Sequence, residues 1–137
     1  MQETVRCRGH ENVAADHGST FEVTTDDWLT PAGDCILGID ADRAPADFDE
    51  AFVEACRDAG ATVTATFEAA GVREVVEGRG HPELTFDDDR SMVGRTSTYV
   101  DDRTVMVTGD RAAADFDPEL VAELADGAEM TVTLTVE

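Results

Sequence analysis

The sequence predicts a β-rich α+β fold in which a unit of three strands, one helix and one strand occurs twice. The main observation is repetition, because two phrases of the first half of the chain return in the second half. Alternating strand patterns and two capped helix signals recur in the same order and complete the prediction. The phrases are VRCRGHENV (5–13) with VEGRGHPEL (76–84), and GIDADRAPADFD (38–49) with VTGDRAAADFD (107–117).

The spacing of the repeated phrases indicates a tandem duplication. The two Arg-Gly-His sequences stand at 8–10 and 79–81, and the glycines after the two predicted helices are Gly60 and Gly127. The two glycines are separated by slightly fewer residues than the two Arg-Gly-His sequences. A few deletions in the second copy would account for this difference. We therefore expect a single domain, 1–137, built of two copies at about 2–69 and 70–137, since the chain is short for two independent domains.

Alternation of apolar and polar residues, together with runs of β-branched residues, predicts eight strands. In the last of them Val132, Leu134 and Val136 point one way and threonines point the other way, which is typical of a strand with one face in water. A tight hairpin at 68–72 is expected to join the two copies. The predicted strands lie at about 3–9, 19–25, 34–40, 61–68, 72–80, 93–99, 103–108 and 129–137.

Capping residues predict two short helices. Asp49 and Asp117 stand where an N-cap belongs, and each is preceded by a phenylalanine that can pack one turn into the helix. Gly60 and Gly127 are expected to end the helices. Each helix has one apolar stripe and must lie against a sheet.

The expected architecture depends on how the apolar faces of the strands are covered. Neither copy can cover the apolar face of its own strands, so the copies must share an interior. We expect a pseudo-twofold barrel or sandwich with the two helices at its periphery. DRAPADFD and DRAAADFD are then equivalent connections from a strand to a helix cap, and their similarity is structural.

Charge is the most unusual feature of the composition. The chain has 31 acidic and 10 basic residues, a net charge of −21, and all ten cations are arginine. Self-repulsion of this size destabilises a small domain unless salt screens it, so we expect a halophilic archaeal protein of the cytoplasm. The same charge disfavours nucleic-acid binding through a broad basic field.

Signals for export, membrane insertion or disulfide bonding are not found. The N-terminal MQETVRC lacks a basic head followed by an apolar run, and no stretch of about 18 apolar residues occurs. The three cysteines show no CxxC spacing and do not predict a disulfide framework. We therefore expect a soluble protein that does not associate with membranes.

Several stretches resemble one known family. HGSTFEVT (17–24), LTPAGDCILG (29–38), Gly9-His10 and DDRTVMVTGDRAAADF (101–116) are similar to the archaeal proteins grouped as domain of unknown function 371. The resemblance covers nearly the whole chain. It implies an archaeal, cytoplasmic protein, and it brings no activity, cofactor or catalytic residue that can be transferred to this sequence.

Arginines and histidines near the expected axis between the copies suggest anion binding. Two of the arginines lie at matching places on the first strands, which we expect to pair, and two flank the weak strand of the second copy. A guanidinium can hold a phosphate or carboxylate bidentately. Alternatively, these arginines pair with the chain's own carboxylates, and the Gly-His pairs cap turns. The candidate ligand-binding residues are Arg8, His10, Arg79, His81, Arg95 and Arg103.

A second set of residues suggests a metal site. Imidazole, carboxylate and thiolate groups are ligands of transition metals, and the candidates are His10, His17, Asp34 and Cys35. Cys35 begins an apolar strand, which favours a buried, unreactive thiol unless a neighbour lowers its pKa.

Three functions from different classes are consistent with these patterns. The first is a binding module that holds a small anionic ligand or nucleotide in the cleft between the copies. The second is a small metal-assisted hydrolase with a metal-bound water as nucleophile. The third is an interaction protein that uses an exposed strand edge. No P-loop, GxGxxG, HExxH or GxSxG motif occurs, and nothing indicates a particular cofactor or oligomeric state.

Overall fold

Eight β-strands and two α-helices follow one another in the predicted order, with three strands, a helix and a strand in each half of the chain. A computed structural model describes all 137 residues. The β-rich α+β class is confirmed. The elements are β1 (Gln2–Arg8), β2 (Thr20–Thr24), β3 (Ile36–Gly38), α1 (Glu50–Cys56), β4 (Thr62–Ala69), β5 (Val72–Arg79), β6 (Ser91–Arg95), β7 (Thr104–Met106), α2 (Pro118–Ala125) and β8 (Glu129–Val136).

The strands form two four-stranded sheets. Sheet A has the order β1-β8-β4-β5 and is antiparallel throughout. Sheet B has the order β3-β2-β6-β7, with an antiparallel central pair and parallel outer pairs. Two isolated bridges, Arg8 to Ile39 and Arg79 to Val107, connect the edges of the two sheets. The barrel alternative is therefore wrong, because the chain leaves each edge after a single bridge and no continuous ladder closes the structure.

Sheet A interleaves strands from the two halves of the chain. Strand β1 does not pair with β4 of its own half; it pairs with β8 of the second half, and β4 lies between β8 and β5. The first strands β1 and β5, which the sequence analysis expects to pair, lie at opposite edges of the sheet. Their exposed charged side chains suit an edge, where charge discourages pairing with another chain.

The central ladders of both sheets are centred on matching positions of the two halves. In sheet B, Glu22 of β2 faces Val93 of β6, and these positions have the same separation along the chain as His10 and His81. In sheet A, Thr66 of β4 faces Thr133 of β8, with the same separation as Gly60 and Gly127. The offsets that relate the repeated phrases of the sequence therefore recur at the centres of the two sheets.

The interior between the sheets is built from aliphatic and phenylalanine side chains. All six phenylalanines are buried. Phe67 of β4 has no exposed surface, and its ring centroid lies 5.1 Å from that of Phe21 and 4.9 Å from that of Phe116, in edge-on contacts. The buried residues of both halves belong to one contiguous hydrophobic cluster, so the halves share an interior as expected.

The repeated phrase that begins with Asp-Arg covers a strand edge and then starts a helix. The Asp42 carboxylate accepts a hydrogen bond from the Arg6 amide of β1 at 2.9 Å, and the Arg43 guanidinium donates to buried Glu3 at 2.8 Å. Asp49 then caps the first turn of α1. An interaction through an exposed strand edge therefore finds no support at these places. The corresponding residues of the second half are Asp110, Glu77, Arg111, Glu74 and Asp117.

Helix α1 is shorter than the sequence predicts. The N-caps at Asp49 and Asp117 are confirmed, and Gly127 follows α2 with a φ of +85°. Gly60, however, does not end α1, because that helix stops at Cys56, whose carbonyl accepts a hydrogen bond from an amide of the other half at 3.0 Å. Neither helix has the length and apolar character that crossing a membrane requires.

Candidate functional site

The six candidate ligand-binding residues do not meet in one cleft. Strands β1 and β5 run antiparallel at opposite edges of sheet A, so Arg8 and Arg79 at their ends lie at diagonally opposite corners of the sheet. His10 and His81 each follow two residues later in the chain. The other two arginines belong to the region of sheet B. The central position of β4 and β8 is the reason for this separation.

Each Arg-Gly-His sequence forms a turn against the end of a helix. In both halves of the chain the histidine Nδ1 accepts a hydrogen bond at 3.0 Å from the backbone amide two residues later. A β-carbon on Gly9 would collide with the Leu124 carbonyl of α2, and one on Gly80 would collide with the Cys56 carbonyl of α1. The recurrence of Arg-Gly-His therefore has a structural explanation, in which glycine permits close packing and histidine caps the turn.

The four candidate metal ligands are not gathered around one point. His17 Nδ1 accepts a hydrogen bond from the amide three residues later at 3.2 Å, and the Asp34 backbone carbonyl accepts one from the His17 amide at 3.3 Å. Cys35 Sγ donates to the Glu22 carboxylate at 3.5 Å, while His10 forms the turn after β1. No three histidine, cysteine, aspartate or glutamate residues of the protein are placed to hold a metal ion.

All three cysteine thiols have raised pKa values. Burial, followed by the charge of Glu22, raises the pKa of Cys35 to about 11. Burial raises the pKa of Cys7 and of Cys56 to about 12. A cysteine nucleophile needs a lowered pKa, so none of the three is suited to nucleophilic catalysis.

Arg95 and Arg103 lie together beside sheet B, but their charges are neutralised within the chain. Arg95 is 9% exposed, donates to Thr104 Oγ1 at 2.8 Å and to Asp101 at 2.9 Å, and stacks on the Tyr99 ring. Arg103 donates to the same Asp101 at 3.1 Å. Burial opposes ionisation of Asp101, but the hydrogen bonds and charges of both arginines hold its pKa below the usual value. These contacts stabilise the loop after β6.

Three other arginines have no carboxylate partner. Seven of the ten arginines form ion pairs with N···O distances of 2.6–3.9 Å, and the exceptions are Arg6, Arg73 and Arg79. The side chain of Arg79 donates only to the Thr62 hydroxyl, at 2.8 Å. All three arginines lie on strands β1 and β5 and point to the same side of sheet A, away from the interior.

This side of sheet A, called the outer face below, is polar and uncovered. Alternate residues of its four strands point outward, and none of them is buried. Within the strands it carries four arginines and three glutamates, a net charge of +1 in a chain of −21. The strands of this face are therefore less acidic than the rest of the chain. The uncharged outward residues include Thr4, Thr62, Thr64, Thr66, Thr131, Thr133 and Thr135.

Two shallow clefts on the outer face share lining residues and form what we call the double cleft. One cleft, of about 430 Å³, contains Arg6 together with Asp40 and Asp42, and the other, of about 330 Å³, contains Glu68 and Arg73. Glu129 and Thr131 line both. Another cleft, of about 580 Å³, lies beside the start of α1, and its one arginine is paired with a glutamate.

The register of sheet A places the double-cleft residues in a row across all four strands. Arg6 of β1 faces Thr131 of β8, Thr131 faces Glu68 of β4, and Glu68 faces Arg73 of β5. Strands lie about 4.8 Å apart, so the row is about 14 Å long between β1 and β5. Its residues come alternately from the first and second halves of the chain.

Arg6 and Arg73 are both absent from the six sequence-based candidates, and Arg73 shows the reason. The available signal was the alternation of β5, in which Arg73 and Arg79 share one face while Glu74 and Val76 lie on the other. That alternation identifies the side of the strand. It does not identify the neighbouring strands, and these are what place Arg73 in a cleft.

Comparisons with known proteins agree with the resemblance noted from the sequence. The family model described as "Domain of unknown function (DUF371)" matches residues 5–137. The chain is also similar to an uncharacterised protein of Methanocaldococcus jannaschii, with 38% identity over 136 residues that cover 99% of this chain and 100% of the relative. Both matches include the strands of sheet A that form the double cleft.

Proposed function

The chain belongs to the DUF371 family, whose description states no activity, and from the double cleft we propose that the protein is a binding module for a small anionic ligand. The observation that supports the proposal is the location in the double cleft of Arg6 and Arg73, two arginines without an ion-pair partner in a protein with 31 acidic residues. Their guanidinium groups are available to a ligand. Nucleotides belong to the proposed class of ligand.

We propose that the anion is held by Arg73 or by Arg6, which lie at the two ends of the row. A guanidinium can donate two parallel hydrogen bonds to a phosphate or a carboxylate. Thr131 lies between them in the row and offers a hydroxyl donor. Arg8 also lines the double cleft, but it contributes less because its Nε already donates to Asp40 at 2.6 Å.

Replacing Arg73 by glutamine is expected to weaken the binding of AMP and of inorganic phosphate at least about tenfold, because a hydrogen bond to a charged group contributes about 1.5–3 kcal/mol. Arg6→Gln should act in the same direction. The measurement is a titration followed by the NMR shifts of backbone amides. In the unmodified protein, the amides of β1, β4, β5 and β8 should shift.

Arg57→Gln is the matched control for these variants. Arg57 is an exposed arginine next to α1 that pairs with Glu54 at 3.2 Å and does not line the double cleft. Its replacement should leave the affinity unchanged. Undiminished binding by the Arg6→Gln, Arg73→Gln double variant, or amide shifts confined to sheet B, would contradict the proposal.

We also propose that the two halves, about 2–69 and 70–137, are copies of one ancestral unit related by a pseudo-twofold axis within a single domain. The same order of elements in each half supports this, as do the matching offsets at the centres of both sheets. The row of the double cleft alternates between the halves, so the proposed site lies between the copies.

We propose further that the protein works in a salt-rich archaeal cytoplasm. The support is the net charge of −21 and the use of arginine for every cation. Raising KCl from about 0.01 M to about 1 M shortens the Debye length from about 30 Å to about 3 Å. The thermal midpoint should then rise by at least about 5 °C, which corresponds to roughly 1 kcal/mol of relieved repulsion. Equal midpoints in calorimetry at the two concentrations would argue against this setting.

A further inference from the structure

The double cleft contains two glutamates that have no cationic partner. Neither Glu68 nor Glu129 forms an ion pair, and neither carboxylate accepts a hydrogen bond within the chain. Glu129 faces Arg8 across β8 and β1, but Arg8 donates to Asp40. Glu68 faces Arg73 without an ion pair. The cleft therefore presents unpaired charges of both signs.

The register brings the two carboxylates close together. Glu68 faces Thr131, and Glu129 lies two residues before Thr131 on the same face of β8, so the two glutamates are diagonal neighbours. Diagonal neighbours in an antiparallel pair have Cα atoms about 7–8 Å apart. Two carboxylates at that spacing can both contact one ammonium group, since N⁺–H···O⁻ bonds are about 2.7–2.9 Å long.

We propose that the ligand of the double cleft is a zwitterion that carries an ammonium group as well as a phosphate or carboxylate, an inference that rests on the proposed function. The ammonium lies between Glu68 and Glu129, and the anionic group lies on Arg73 or Arg6. A ligand with only negative charge meets two unpaired carboxylates in the same cleft, and this repulsion selects against it. The neighbouring positions of Glu68 and Arg73 set a short distance between the two groups of the ligand.

O-phosphoethanolamine and ethyl phosphate are matched probes of this proposal, because they differ only in an ammonium group that replaces a hydrogen atom. In NMR titrations of the full chain we expect O-phosphoethanolamine to bind at least about tenfold more tightly than ethyl phosphate. Glu68→Gln should reduce the difference, the Glu68→Gln, Glu129→Gln double variant should abolish it, and both should leave the affinity for ethyl phosphate equal or higher. The amides that shift should belong to the row across sheet A.

Glu77→Gln is the control, because Glu77 is an exposed glutamate on the outer face that does not line the double cleft. This variant should keep the preference for O-phosphoethanolamine. If the two probes bind with equal affinity and Arg73→Gln lowers both affinities, the zwitterion proposal is wrong and the anion-binding proposal is supported. If neither probe binds, both proposals fail.

Discussion

Replacing Phe67 by alanine is expected to lower the free energy of unfolding by about 3–5 kcal/mol, since it removes a fully buried ring and leaves a cavity. The ring lies between those of Phe21 and Phe116, so its loss also removes two edge-on aromatic contacts. Denaturant-induced unfolding measures the change. The slope of the unfolding free energy against denaturant concentration should stay the same if the native and unfolded states keep their compactness. A loss of this size is a large part of the total stability of a small domain.

Tyr99→Ala is the control for the loss of an aromatic ring. Tyr99 is 59% exposed and its ring contacts Arg95, so its removal should cost less than about 1 kcal/mol. Phe67→Leu should fall between the two because it retains most of the buried volume. Similar losses for Phe67→Ala and Tyr99→Ala would contradict the shared interior described for the two sheets.

Raising the pH from about 8 to about 10 is expected to lower the free energy of unfolding by about 3 kcal/mol through Cys7 and Cys56. Burial raises the pKa of each thiol from 9.0 to about 12, and the charge of Asp42 adds to the effect at Cys7. The unfolded chain therefore releases these protons near pH 9, whereas the native protein retains them. Their contribution to stability is complete below pH 9 and is lost as the pH rises towards 12.

The Cys7→Ala, Cys56→Ala double variant separates the thiols from other causes of alkaline instability. The variant should be less stable than the unmodified protein at pH 8, because both side chains are buried. Its free energy of unfolding should nevertheless depend less steeply on pH between 8 and 10, measured with a reductant present. The same slope for both proteins would show that the two thiols are not responsible.

Local features of this fold could be predicted from the sequence, including the hairpin at 68–72 that joins β4 to β5, but the pairing of strands distant in the chain could not. Asp49 and Asp117 are recognisable as helix caps because the groups that they satisfy lie within the next turn. Strand positions follow from alternation over a few residues. The pairing of β1 with β8 depends on packing between residues at opposite ends of the chain, and so the expected pairing of β1 with β5 was wrong.

The candidate site was predicted less completely than the fold, for a related reason. Residue type and repeated position selected Arg8, Arg95 and Arg103, but each of these has an internal carboxylate partner in the folded chain. With 31 acidic residues, most cations of this protein find such a partner. Arg6 and Arg73 form no ion pair, although Asp42 accepts a hydrogen bond from the Arg6 amide and Glu68 faces Arg73, and no local sequence pattern distinguishes these two arginines from the paired ones.

The pairing of β1 with β8 also determines how long β1 stays unpaired while the chain is synthesised. The partner of Arg8 is Glu129, so nearly the whole chain is synthesised between β1 and the strand beside it. At about 5–20 residues per second, the N-terminal strand waits roughly 6–24 s for its neighbour. During that interval the apolar side of β1 has no sheet to join, whereas β4 can already pair with β5, and nascent chains are then most open to proteases and to association with one another. We therefore expect the pairing of β8 with β1 and β4 to form only after β8 has left the exit tunnel, with the slow kinetics of contacts between distant residues.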